Sequence, residues 1–279
     1  MILAIDTCGA SGGVALGRIL VPDNNAQAVD PTLRWAKDGA PNVLIPRSQS
    51  RDLWTGSGQA LGHPEYAVSG VEVLAGRELA GKTYSARLVP AIREMLGEAE
   101  VALDQLQAIA VVNGPGSFTG IRIGVSAAKG LGEAVGIPVI ALSRLELLMR
   151  MGVSGVAVRT RVSFGNLEQL SRGVIAVLDA ERGEFYARIG GREELLGREE
   201  LLRVAGELRA DLVVCEVSVA AVLAELKLRH VPAPTAVDAL WLGAERWEAE
   251  AFDDVETLDA NYLRRSDAEL FSKIKIAAR

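Results

Sequence analysis

The chain has 279 residues, of which 49% are hydrophobic and 24% are charged. This composition is typical of a globular protein and excludes disorder over the whole chain, and the length is enough for two modest lobes. The formal net charge is −6 at pH 7. It disfavours binding of RNA or DNA by this chain alone, because neutralising phosphates requires clustered Lys and Arg.

Metal-binding and redox residues are few. The chain has two cysteines, Cys8 and Cys215, and two histidines, His63 and His230, all far apart. This predicts neither a disulfide framework nor a metal site, and we expect a reducing, cytoplasmic location. No apolar run approaches the ~20 residues that span a bilayer. We therefore expect no membrane association, and the apolar start at 2–5 predicts a strand rather than a signal peptide.

The first half alternates strands and helices, which predicts an α/β lobe. The first strand ends at Asp6, and a turn of small residues leads to a second strand from Val14. The segment 22–66 holds five of the ten prolines and has no sustained periodicity, which predicts a long loop or insertion. The elements predicted after it are strand 68–74, a helix through 88–96, strand 108–112, helix 118–135, strand 138–142 and helix 143–151.

The second half repeats the arrangement at the N-terminus. Strand 174–178 ends at Asp179, and a short turn leads to strand 184–189, which we interpret as a weak internal repeat of two related lobes. The later elements are predicted as helix 198–208, strand 212–215, helix 218–228 and a solvated acidic stretch at 245–259. The predicted domains are a first lobe at 1–152, a second lobe at 153–258 that begins with a loop at 153–172, and a tail at 259–279.

The most specific motif is the glycine-rich segment 113–124. Its glycines flank Pro115 and permit a tight turn, and Ser117 or Thr119 can cap the helix that follows. The amides of the first turn of that helix could receive an anion. A plain turn from strand to helix explains the motif equally well.

Small residues recur every four positions in that helix, at Gly120, Gly124, Ala128 and Gly132. Glycine inside a helix costs about 1 kcal/mol relative to alanine, so the stripe needs a compensating contact. We expect another helix to approach closely there, and it can belong to the same chain or to a partner.

Asp6 and Asp179 each stand at a strand end, as do the carboxylates that position magnesium in actin-like ATPases and sugar kinases. A glycine two residues later would let phosphates approach, but Cys8 and Glu181 occupy those positions. A carboxylate where phosphate should lie is unfavourable, so the residues predict a degenerate nucleotide site. No Ser-His-Asp or Cys-His arrangement is evident.

Five segments resemble the TsaB (YeaZ) family. They occur in the order of the family from one end of the chain to the other, and the glycine-rich one is highly specific. The segments are 2–7, 84–90, 114–124, 179–186 and 261–264. Two features depart from the family pattern: Tyr84 stands where many relatives have histidine, and the insertion at 22–66 is atypical.

The resemblance implies a two-lobed actin-like (ASKHA, ribonuclease-H-like) α/β fold in which each lobe is a mixed sheet flanked by helices. It also implies a non-catalytic scaffold or activator of the complex that makes N6-threonylcarbamoyladenosine (t6A) at position 37 of tRNA. The implied partners are a TsaD-like catalytic subunit and a TsaE-like ATPase. The isolated chain can be a monomer or a homodimer, and the sequence leaves both open. The tRNA would bind only through the complex. No cofactor would be held tightly by this chain, and ATP or ADP would bind at the assembled complex.

The partner-binding helices of the family match 85–96 and 118–135. The implied partner interface consists of Ser85, Leu88, Val89, Ile92, Met95, Gly120, Gly124, Ala128 and Gly132. A vestigial nucleotide or anion site would consist of Asp6, Thr7, Gly116, Ser117, Thr119 and Asp179. Two other functions stay open: an ATP-dependent small-molecule kinase of the same fold, which would bind nucleotide tightly as an isolated chain, and a metalloprotease, which would need a clustered metal site.

Overall fold

The computed structural model describes residues 1–20, 71–153 and 172–264. The predicted insertion at 22–66, nearly all of the predicted loop at 153–172 and the tail beyond Arg264 lie outside these ranges.

The first sheet has five strands in the order β3-β2-β1-β4-β5. Its first three strands are antiparallel neighbours, whereas β1, β4 and β5 run parallel. The central strands are covered on both faces, which explains why they are almost continuously apolar in sequence. The strands are β1 (Ile2–Asp6), β2 (Ser11–Ile19), β3 (Val71–Ala80), β4 (Ala108–Gly114) and β5 (Val139–Ser143).

The second sheet repeats this topology. Its order is β10-β9-β6-β7-β8, again with an antiparallel three-strand meander and two parallel neighbours. This confirms the predicted fold class and the internal repeat. The strands are β6 (Val174–Asp179), β7 (Glu184–Ile189), β8 (Arg192–Gly197), β9 (Asp211–Val214) and β10 (Leu228–His230).

Six helices cover the sheets within the described ranges. They are α1 (Tyr84–Glu98), α2 (Phe118–Val135), α3 (Arg144–Val153), α4 (Arg198–Leu208), α5 (Val217–Val222) and α6 (Ala236–Glu248). The bounds of α2 and α4 are those predicted. In the described part of the chain, none of the helices has the length and apolarity needed to cross a bilayer.

Several predicted elements differ from the structure. The predicted helix 218–228 is wrong: α5 ends at Val222, and Leu228 begins β10 because it pairs with Leu212 of β9. The predicted strand 68–74 extends to Ala80, since this segment pairs with β2 as far as Ser11. Strand β8 and helix α6 were not predicted.

The two lobes exchange helices. α3 follows the last strand of the first sheet but packs on the second, where Leu148 and Met149 join Ala176 and Leu178 in one apolar cluster. α6 follows the last strand of the second sheet but packs on the first, with Leu240 in the core of that lobe. The second predicted segment, 153–258, therefore contributes a helix to the first sheet. The predicted domain limits stay predictions.

The exchanged helices meet through buried charges. Glu146 of α3 binds Arg246 of α6 at 2.6 Å and its own helix neighbour Arg150 at 3.4 Å, and Arg150 binds Glu245 of α6 at 2.8 Å. The side chains of Glu146 and Arg150 are only 5% and 4% exposed. Because buried charges are costly unless they are paired, these contacts fix the position of α3 against α6. The amide of Glu146 also donates to Ser143 Oγ at 3.3 Å, so Ser143 caps α3.

The stripe of small residues in α2 faces the chain's own strands. A Cβ added at Gly120 would lie 2.0 Å from the carbonyl oxygen of Thr7, and one added at Gly124 would lie 2.3 Å from Thr7 Oγ1. At Gly132 it would lie 2.8 Å from Val139, and Ala128 is fully buried. This corrects the assignment of these four positions to a partner surface. The compensating contact is with the edge of β1 and with β5, not with another helix.

Replacing Gly120 with Ala should lower the free energy of unfolding by roughly 1–3 kcal/mol, because the new methyl group overlaps a backbone oxygen. The matched control is Gly130→Ala in the same helix, where an added Cβ meets nothing within 4 Å. That change should instead stabilise the protein by about 0.5–1 kcal/mol. Urea unfolding monitored by circular dichroism measures both. Equal stability of the two variants would contradict the packing described for α2.

Glu146→Gln should destabilise the protein by about 3–5 kcal/mol, because it leaves Arg246 and Arg150 buried without this carboxylate. The control is Glu207→Gln, which breaks another i,i+4 pair, with Arg203, whose side chains are more than half exposed. That variant should change stability by less than about 1 kcal/mol. The comparison uses the same urea titrations, and a small loss in Glu146→Gln would show that the charges do not hold the helices together.

Candidate functional site

The glycine-rich motif wraps the end of β1. Thr7 Oγ1 donates to the carbonyl of Gly120 at 2.7 Å, and the amide of Ser117 donates to the carbonyl of Cys8 at 2.8 Å. A Cβ at Gly116 would lie 2.3 Å from that same Cys8 oxygen, so this position requires glycine. The predicted residues Thr7, Gly116 and Ser117 are thus brought together. The Thr7 hydroxyl and the Ser117 amide donate hydrogen bonds to carbonyl groups of the same chain.

Ser117 caps α2. Its Oγ accepts a hydrogen bond from the amide of Gly120 at 3.3 Å, whereas Thr119 lies exposed on the first turn. The two capping alternatives are therefore resolved in favour of Ser117. An anion at this helix start stays a prediction.

The two strand-end aspartates have different surroundings. Asp6 is 1% exposed; its Oδ1 accepts from the amide of Cys8 at 2.9 Å, and burial raises the pKa of Asp6 against the opposing effect of the Arg144 charge. Asp179 is exposed, its Oδ1 accepts from the amide of Glu181 at 2.7 Å, and its own amide donates to Glu216 Oε2 at 2.8 Å. Each aspartate thus stabilises the turn that follows its strand. Across residues 1–20, 71–153 and 172–264, no three His, Cys, Asp or Glu residues group as a metal site would.

Arg144, the first residue of α3, lies between the lobes and was missed by the sequence analysis. It is 7% exposed, and its Nη2 would lie 2.8 Å from a Cβ at Gly9. Burial alone would lower the pKa of Arg144, but the negative charges of Asp6 in the first lobe and Glu216 in the second raise it. Nothing in the sequence marks this residue, because it follows the Ser143 cap as any helix start would.

Tyr84 supports the turn between β1 and β2. Its hydroxyl donates to the carbonyl of Gly9 at 3.0 Å. Burial, followed by the charge of Asp6, raises the pKa of Tyr84 to about 12, so the hydroxyl stays protonated and remains a donor. The chain therefore has a neutral donor at Tyr84 that ties α1 to the turn.

An apolar groove of about 360 Å³ runs between α1 and the segment that follows it, with α2 alongside. Of the predicted interface residues, Val89 and Ile92 line it, and Val89 is 57% exposed. Ser85 is exposed, whereas Leu88 and Met95 are buried in the core. The whole lining is Val89, Ile92, Arg93, Leu96, Gly97, Val101, Leu103 and Leu131.

The segment 261–264 contacts the glycine-rich motif. The amide of Asn261 donates to the carbonyl of Asn113 at 2.7 Å. Arg122 donates from Nε to the Tyr262 hydroxyl at 2.7 Å, and its guanidinium lies 5.5 Å from the centre of the Tyr262 ring. Two segments that the resemblance singled out separately are therefore one structural unit, joined by hydrogen bonds and a cation–π contact.

Comparison with known proteins identifies relatives over part of the chain. Residues 77–208 match the family model for TsaD, tRNA N6-adenosine threonylcarbamoyltransferase. The tRNA threonylcarbamoyladenosine biosynthesis protein TsaB of Bacillus subtilis is 44% identical over 105 residues, which are 38% of this chain and 39% of that protein. The Haemophilus influenzae protein of the same name is 35% identical over 109 residues, 39% and 41% of the two chains. These matches support the TsaB (YeaZ) family.

The matched segments span about two fifths of these TsaB proteins. Other relatives bear the transferase name, such as a Dinoroseobacter shibae protein that is 35% identical over 119 residues, 41% of this chain and 31% of that protein. A solved structure from Pseudomonas aeruginosa, described as an uncharacterized protein with similarity to peptidase YEAZ, aligns with a TM-score of 0.59 at 23% identity and covers 94% of this chain and 99% of its own. This likeness shows the shared two-lobed fold.

Ser117→Ala should lower the free energy of unfolding by about 1 kcal/mol, because the amide of Gly120 loses its capping oxygen. Thr119→Ala, two residues further into the same helix, is the control and should leave stability within about 0.5 kcal/mol of the parent. Thermal and urea unfolding of the two variants test the assignment. If Thr119→Ala were the more damaging change, Ser117 would not be the cap.

Proposed function

We propose that this chain is a non-catalytic subunit that supports synthesis of N6-threonylcarbamoyladenosine in tRNA by docking on a TsaD-like transferase. The similarity to TsaB proteins supports the pathway. The observation that carries the docking role is the exposed apolar groove beside α1. Exposed apolar surface of this kind marks a site of association in proteins that otherwise bury such side chains.

The groove has the chemistry of a helix-docking surface. Its lining is aliphatic apart from Arg93 and Gly97, and Val89 points outward from a helix whose other face is held in the core by Leu88, Ile92 and Met95. Such a rigid surface presents an apolar pocket without reorganisation, which reduces the entropic cost of binding. The TsaD-like subunit is the proposed occupant, and in its absence a second copy of this chain would cover the same groove.

The arrangement around β1 supports a non-catalytic role. The hydroxyl of Thr7 binds the carbonyl of Gly120, the hydroxyl of Ser117 caps α2, and Asp6 holds the amide of Cys8. These groups stabilise the junction of strand and helix. A transferase role for the chain itself is the second candidate, and the match of residues 77–208 to the TsaD model favours it. Activity of the isolated chain separates the two.

The proposed complex also includes an ATPase, a nucleotide and the tRNA. A TsaE-like ATPase would complete the complex, and ATP or ADP would bind there rather than tightly to this chain. The net charge of −6 supports recruitment of tRNA through the complex, because an acidic chain repels the phosphate backbone.

Val89→Asp should abolish co-purification with the TsaD-like protein from the same genome and should lower t6A formation by the reconstituted complex at least about tenfold. A buried carboxylate in an apolar interface costs several kcal/mol. The matched control is Val217→Asp on α5, since Val217 is also an exposed valine, at 76%. It should assemble and support modification like the parent.

Both variants should melt like the parent, because both valines are exposed. Normal assembly of Val89→Asp would overturn the docking surface. Formation of t6A by the isolated chain, without the TsaD-like protein, would overturn the non-catalytic role and favour the transferase.

A further inference from the structure

Arg144 differs from the other arginines of the described ranges whose Nε atom is buried. In each of the others a terminal nitrogen binds a carboxylate of the chain; they are Arg150, Arg188, Arg246 and Arg264. Arg144 is 7% exposed, and its Nε has no hydrogen-bond partner among the described residues; none of them accepts a hydrogen bond from its terminal nitrogens either. A buried guanidinium of this kind is rare in native proteins, because its five donors must be satisfied.

An unsatisfied acceptor belongs to Asp6, on which the charge of Arg144 acts. Asp6 Oδ2 is buried and has no hydrogen-bond partner among the described residues, although Oδ1 binds the amide of Cys8. Asp6 ends β1 and Arg144 begins α3, and a Cβ added at Gly9, in the turn after β1, would lie 2.8 Å from Arg144 Nη2. The fold therefore brings an unused acceptor and unused donors into one region where the two lobes meet, and the charge of each residue acts on the pKa of the other.

We propose that Arg144 and Asp6 form a binding site for a small ligand that carries both an oxyanion and a hydrogen-bond donor. The planar fork of the guanidinium binds carboxylate or phosphate oxygens in a charge-assisted, often bidentate manner. Asp6 Oδ2 accepts from the donor of the same ligand. A hydrogen phosphate group and an amino acid, with its carboxylate and ammonium, both have this chemistry.

The surrounding charges favour a small ligand of low charge. Glu216 of the second lobe is close enough to Arg144 to influence its pKa, and Asp6 is itself a carboxylate. These groups repel a polyphosphate but accept a ligand whose single negative charge is accompanied by a donor. The site thus differs from the nucleotide site expected from the strand-end aspartates, since it lacks Thr7, Ser117 and Thr119.

The test is isothermal titration of the full chain with two probes, inorganic phosphate and glycine, at constant ionic strength set by chloride. We expect saturable binding of at least one probe. Arg144→Gln should weaken it about tenfold or more, because it removes a charge-assisted hydrogen bond, and Arg144→Lys should restore part of it. Arg192→Gln, which removes an exposed arginine, is the control and should bind like the parent.

The two probes distinguish the sources of the oxyanion: phosphate alone indicates a phosphorylated ligand, and glycine alone indicates an amino acid. Binding of neither probe by the parent, or equal binding by parent and Arg144→Gln, overturns the proposal. If Arg144→Gln does not fold, the parent and Arg144→Lys titrations still decide it. Val89→Asp should bind the probes like the parent, so failure of the docking groove and failure of this site give different results.

Discussion

The exchange of α3 and α6 between the lobes is the constraint on which the rest of the structure depends. Each helix leaves its own sheet and covers a face of the other, so neither lobe has a complete core by itself. Where the two helices meet, Glu146 pairs with Arg246 and Arg150 pairs with Glu245. Because unpaired buried charges are strongly destabilising, these pairs define a single relative position of the helices, and with them of the lobes.

Close packing of α2 against the first sheet likewise fixes the position of the glycine-rich motif. α2 approaches β1 so closely that a side chain at Gly120 or Gly124 would overlap Thr7. The close approach lets the Thr7 hydroxyl reach the helix carbonyl. The motif thereby becomes part of the core, and the hydroxyl that a nucleotide site would offer to a ligand is used to join strand and helix.

These constraints separate two surfaces of the molecule. The groove beside α1 lies on the solvent side of the helical layer, so a partner can dock there on a preformed surface. The region of Arg144 and Asp6 lies between the lobes. Asp6 Oδ2 and Arg144 Nε are buried there without a hydrogen-bond partner among the described residues.

The sequence by itself determined the fold class, the repeated order of strand, aspartate, turn and strand, and the bounds of α2, because local periodicity and capping residues encode them. The resemblance to the TsaB (YeaZ) family singled out Val89 and Ile92, which line the groove. Only the tertiary structure decided that Gly120 and Gly124 face β1 rather than a partner, because helical periodicity does not reveal what a face packs against. It alone placed α6 on the first sheet and Arg144 beside Asp6. Those contacts join residues more than a hundred positions apart, and no local pattern records such a distance.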